Sequence, residues 1–109
     1  MNQPAVEANA HAISVLSNVV SVTPDSKASY FLSDALSRLS QLMYWLKSEK
    51  LDTKSSIGMV DGAKRDLAEA TDQLASLPWK DSQVKQQLDM IKEADESIEQ
   101  LRQELSESA

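Results

Sequence analysis

Val84, Ile91, Ile98 and Leu105 stand seven residues apart through the last quarter of the chain, and Ala94 and Leu101 fill two of the intervening positions. A strict seven-residue repeat drifts by about 20° per heptad around a straight helix. A helix over 81–105 must therefore wind left-handedly around its neighbours to keep this stripe buried. Gln87 interrupts the stripe, and the flanking positions (Leu88, Asp95 and Arg102 on one side, Met90, Ser97 and Glu104 on the other) carry no clean charge code for pairing identical strands. The pattern thus predicts a member of an antiparallel bundle rather than a self-sufficient two-stranded coiled coil.

Two glycines and three prolines in 109 residues leave little turn chemistry for a many-stranded sheet, which favours a few long helices. Short separators, "SVTPDS", "LDTKSS" and "LPWKDS", divide the chain into four segments. In the first, about 5–20, Val6, Ile13 and Val20 recur every seven residues beside Leu16, with His11, Ser14, Asn18 and Ser21 on the other side. Its many β-branched residues also suit a strand, and the lack of a second strand to pair with favours a helix.

The second segment opens with Thr23 as an expected N-cap, Pro24 at the first helical position and Asp25 near the positive helix end. Ala28, Phe31, Leu32, Ala35, Leu36, Leu39, Leu42, Met43 and Leu46 gather in an arc of roughly 140°, wide enough to meet more than one neighbour. The third segment, about 55–77, places Val60, Ala63, Leu67, Ala70, Leu74 and Leu77 at three- and four-residue spacings. Gly58 and Gly62 fall on its polar side, where each costs about 1 kcal/mol of helix propensity. Pro78 ends that helix or opens the next, and Trp79 at the corner is expected to cover the end of the core.

The expected fold is all-α, a single domain over 1–109. It is an antiparallel bundle of three long helices, about 24–50, 55–77 and 81–105, plus a shorter N-terminal helix. Its core is expected to hold Phe31, Leu32, Ala35, Leu39, Leu42 and Leu46, with Val60, Leu67, Leu74, Val84, Ile91 and Ile98.

Chemistry has few candidates. The sole histidine, His11, has Ser14 nearby but no orienting acid or oxyanion donors in sequence reach. No Glu-x-x-His pair, calcium loop or phosphate loop occurs, and without cysteine there is no thiolate nucleophile or ligand. No enzyme activity, cofactor, metal or small-molecule substrate is therefore expected. A net charge of −6 and helices without a basic face argue against direct nucleic-acid binding. "AISVLSNVVSV" is too short and polar to span a membrane. The first 26 residues lack the Lys or Arg of a secretory leader, so a cytoplasmic location is expected.

What remains is an interaction surface. Ser26, Ser33, Ser37, Ser40 and Ser48 share an arc with Tyr30 and Tyr44 beside the apolar face of the second helix. This stripe suits close packing of the first helix, plain solvent exposure, or an interface with another chain. Trp45 falls opposite the core arc, near Arg38. Trp45, Tyr30, Tyr44 and Arg38 are the candidate partner-binding residues, because aromatic and arginine side chains dominate binding hot spots. The first functional expectation is a non-catalytic helical adaptor, chaperone or regulatory subunit that self-associates as a homodimer. The alternative is an acidic inhibitor whose last helix (Asp81, Asp89, Glu93, Glu96, Glu99, Glu104 and Glu107) masks a basic surface on another protein; the same residues also suit a solvated face.

Overall fold

A computed structural model describes residues 2–48, 52–77 and 82–107. Four helices follow one another: α1 (Gln3–Ser21), α2 (Lys27–Leu46), α3 (Thr53–Ala75) and α4 (Ser82–Glu107). They form an all-α antiparallel bundle of 46 × 19 × 19 Å, two helices wide in each short direction. Each helix packs on its neighbours in the chain, and α4 closes the square against α1. The α1–α4 and α2–α3 faces are the extensive ones, and the α1–α2 and α3–α4 faces are slighter.

All four helices bury a stripe at alternating three- and four-residue spacings. On α2 it is Ala28, Leu32, Ala35, Leu39, Leu42 and Leu46; on α3, Ser56, Val60, Ala63, Leu67, Ala70 and Leu74; on α4, Val84, Gln87, Ile91, Ala94, Ile98, Leu101 and Leu105. On α1 it is Ala5, Ala8, Ala12, Val15 and Val19, with Leu16 and Asn9 alongside. The heptad read from α4 is thus the packing rule of the whole bundle. Of the expected core, Phe31 alone is half-buried, as are Leu36 and Met43 at the edges of the α2 arc.

Several details are corrected, although the first segment is a helix as expected and, at 19 residues, the shortest of the four. Its buried face is not the one that Val6, Ile13 and Val20 mark; these three sit half-buried on a flank. The reason is steric. Asn2 Nδ2 donates to the Glu104 carbonyl (3.4 Å), so the alanine-rich first half of α1 runs beside Ile98, Leu101 and Leu105 of α4. Small side chains there let the larger residues of α4 fill the space between the helices.

The start of α2 also moves. Thr23 is not its N-cap; it is buried, and its hydroxyl donates to the Val19 carbonyl at 2.6 Å, closing the end of α1. Ser26 caps α2 instead, in a reciprocal capping box: Ser29 N donates to Ser26 Oγ (3.3 Å) and Ser26 N donates to Ser29 Oγ (2.8 Å). Residues 22–25 are used in turning the chain. Gln87, the break in the α4 stripe, lies in the core and donates to the Val22 carbonyl at 3.0 Å, which ties α4 to the end of α1. Pro78 and Trp79 lie outside the described residues. Among the described residues no helix is long and apolar enough to cross a membrane.

Candidate interaction surface

The outward side of α2 is a second heptad-spaced row: Tyr30, Ser33, Ser37, Ser40 and Tyr44, every one exposed. The tyrosines are 67% and 74% exposed, and Tyr30 meets Phe31 edge to face at 5.5 Å. Between them Ser33, Ser37 and Ser40, with Leu36 and Gln41, line a shallow open hollow. The serine row is therefore not the buried contact with α1; the core stripe of α2 faces inward and the serines face solvent.

The four candidate residues divide between two places. Tyr30 and Tyr44 share the outer row. Arg38 and Trp45, seven residues apart, share with Phe31 the flank that meets α3. Trp45 does not stand in solvent opposite the core, as its wheel position suggested; it is half-buried and packed against the core. Arg38 Nε lies 3.0 Å from Asp34 Oδ2 and 3.1 Å from Asp66 Oδ2 across the α2–α3 seam.

Gly62 makes that pairing possible. It is buried, not on an open polar face, and a Cβ there would lie 2.6 Å from Arg38 Nη1; at Gly58 a Cβ would meet nothing. A glycine within a helix, one turn before an aspartate, was the available sequence signal, since its propensity cost asks for a packing reason. Burial pushes the Asp66 carboxyl up to about 6, its hydrogen bond with Asp34 adds to this, and Arg38 draws it partly back. Asp34 is held below its ordinary value, first by the hydrogen bond from Asp66 and then by Arg38. Below about pH 6 the pair thus shares a proton, held on Asp66, under the guanidinium; above it both carboxylates face Arg38 charged.

Other seams carry ion pairs too. Lys64 Nζ reaches Asp95 (3.2 Å) and Glu99 (2.9 Å), and Arg102 Nε reaches Asp61 (2.8 Å), all between α3 and α4. Burial works against the charge on Lys64, yet hydrogen bonds to Glu99 and Asp95 outweigh it and raise its pKa. His11 Nε2 lies 3.4 Å from Glu93 Oε1 between α1 and α4, both side chains about half exposed. Glu93 and Glu99 of the acidic α4 face, and Asp95 on its flank, are therefore engaged within the chain.

Asn9, which sequence reasoning passed over, is fully buried; its side-chain amide donates to the Leu39 carbonyl at 3.0 Å, and its side-chain oxygen meets no donor among the described residues. Among the described residues no group of three or more His, Cys, Asp or Glu is placed to hold a metal ion. The chain matches no protein-family model, and neither a curated protein nor a solved structure matches it.

Proposed function

We propose that this chain is a cytoplasmic, non-catalytic helical interaction module, an adaptor, chaperone or regulatory subunit that docks a protein partner on the outer face of α2. The observation that carries the reading is the pair of exposed tyrosines bracketing a level serine row. The exposed residues of α2 include one charged side chain, Lys27 at its start. Large aromatic bodies with polar tips, set on a rigid helix without charges to desolvate, give affinity at low entropic cost. The acidic-inhibitor reading draws on α4, where seven acidic residues face three basic ones. It is the weaker reading, because Glu93, Asp95 and Glu99 each already face a cation or imidazole of this chain.

A photo-crosslinking residue at position 44, with one at the exposed α4 position Gln100 as the comparison, separates the two. The module reading expects a discrete protein adduct from position 44, insensitive to salt between about 0.05 and 0.5 M. Adducts from position 100 that fade with salt support the acidic reading. Absence of an adduct from position 44 overturns the module.

A further inference from the structure

Among the described residues, ion pairs or a His–Glu contact close three of the four seams between neighbouring helices: His11–Glu93 for α1–α4, Arg38–Asp66 for α2–α3, and Lys64 and Arg102 with their partners for α3–α4. The α1–α2 seam has none. Its polar tie is the buried hydrogen bond from Asn9 to the Leu39 carbonyl. What lines its outer edge is apolar. At about 100° per residue, Val6, Ile13 and Val20 lie on the flank of α1 away from His11, and hence border α2. Leu36 and Met43 lie on the flank of α2 away from Arg38, and hence border α1. All five are half-buried, and Val6, Ile13, Val20 and Leu36 pack against the core.

We propose that this α1–α2 face is a homodimer interface, in which a second copy of the chain covers the Val6–Ile13–Val20 and Leu36–Met43 seam about a two-fold axis. The inference rests on the reading of the chain as an interaction module and names its partner.

Charge selects the occupant. The chain carries −6, so two copies repel wherever acidic residues must meet. Seven acidic residues against three basic place much of that charge on α4. On α1 and α2 the acidic, basic and imidazole side chains are Glu7, His11, Lys27, Asp34 and Arg38. Glu7 and His11 lie toward α4, and Asp34 and Arg38 pair beside α3. The face centred on the α1–α2 seam is left with serines, alanine and tyrosine around an apolar strip, so a second copy can approach there with little repulsion. Short side chains at Ser17 and Ser37 also let helices come close.

Size agrees. A whole long side of a body 46 Å by 19 Å covers about 870 Å², so a stable interface of ~800 Å² per partner would use nearly the full length of this side. An isologous contact uses the same patch twice and closes on itself, which gives a dimer and no filament.

The test is the molar mass of the purified full chain by light scattering and sedimentation, from about 1 to 200 μM, the range in which a micromolar dimer forms. The 12.0 kDa chain should pass to twice that mass. Ser37→Glu and Ser37→Arg, at an exposed helical site, should each weaken the dimer at least tenfold. The two change net charge in opposite directions, so a shared effect locates the interface rather than reporting global repulsion. Gln100→Glu on α4 should leave the dimer unchanged, and circular dichroism checks that each variant is folded. A chain that stays monomeric overturns the proposal, as does a dimer indifferent to both Ser37 variants. Neither result touches the module reading itself, which fails only if position 44 captures no protein at all; an adduct there with a different protein keeps the module and removes the second copy as its partner.

Discussion

Replacing each glycine of α3 by alanine should have opposite consequences that depend on pH. Both stand inside the helix, where alanine is worth about 1 kcal/mol over glycine. At Gly58 a Cβ meets nothing, so Gly58→Ala should stabilise by about that amount, some 4 °C in Tm for a chain of this length. At Gly62 the Cβ displaces the Arg38 guanidinium, whose closest atom would be 2.6 Å away. Because the guanidinium ends a flexible side chain it can swing aside, so the steric cost is small and the electrostatic one decides. Asp66, its side chain 11% exposed, then faces burial without its cation.

The pKa bounds that cost. With Arg38 in place the Asp66 carboxyl titrates at about 6. Without Arg38 the carboxyl takes a proton rather than remain charged. The extra cost therefore cannot exceed the free energy of protonating it, about 1.4 kcal/mol for each pH unit above 6. Near pH 5 the cost vanishes and Gly62→Ala should stabilise by about 1 kcal/mol, like Gly58→Ala. At pH 7 the two effects nearly cancel. By pH 8 the variant loses no more than about 2.7 kcal/mol against the roughly 1 kcal/mol gained, a net Tm loss of at most about 7 °C. Thermal melts of both variants at pH 5, 7 and 8 test this. A Gly62→Ala variant that tracks Gly58→Ala at all three values would show that the Arg38–Asp66 contact contributes nothing.

Three further outcomes follow from the same geometry. Asp66 has a folded pKa above its unfolded value of 3.8, so the stability that its proton supplies is complete below 3.8 and is lost as pH rises through about 6. Asp66→Asn keeps a donor toward Asp34, and should match the wild type near pH 4 and exceed it at pH 8 by up to about 3 kcal/mol, read by denaturant melts at both values. Trp45→Ala should cost about 2 kcal/mol because the ring packs against the core. Tyr44→Ala should stay within about 0.5 kcal/mol, and equal losses in urea melts would put both aromatics in one environment. Ser26→Ala and Ser29→Ala should each cost about 1 kcal/mol. Their double variant should fall short of additivity by at least about 0.5 kcal/mol, since each side chain bonds the other's backbone; strict additivity would deny the reciprocal cap.

The fold class was legible in the sequence because helices announce themselves locally. Sparse glycine and proline, together with the seven-residue spacing of Val84, Ile91, Ile98 and Leu105, specify long helices with one buried stripe, whatever their neighbours are. The buried stripes of α2, α3 and α4 could be read for the same reason, as the identity of a core position depends mostly on its own helix. On α1 that rule failed. Hydrophobicity pointed to Val6, Ile13 and Val20, whereas close packing against α4 selected the alanines, and interhelical distance is not a property of one helix.

The candidate surface divides in the same way. The exposed row from Tyr30 to Tyr44 follows from helical geometry on α2 alone. The burial of Trp45, the engagement of Arg38, the need for glycine at position 62 and the raised pKa of Asp66 arise only when α3 is laid beside α2, 28 residues separating Arg38 from Asp66. Local periodicity is set by the backbone's own 3.6-residue turn and is written residue by residue. Which flank is covered, which charge is neutralised and which seam is left open depend on what the neighbouring helix presents, and that was decided by the tertiary structure.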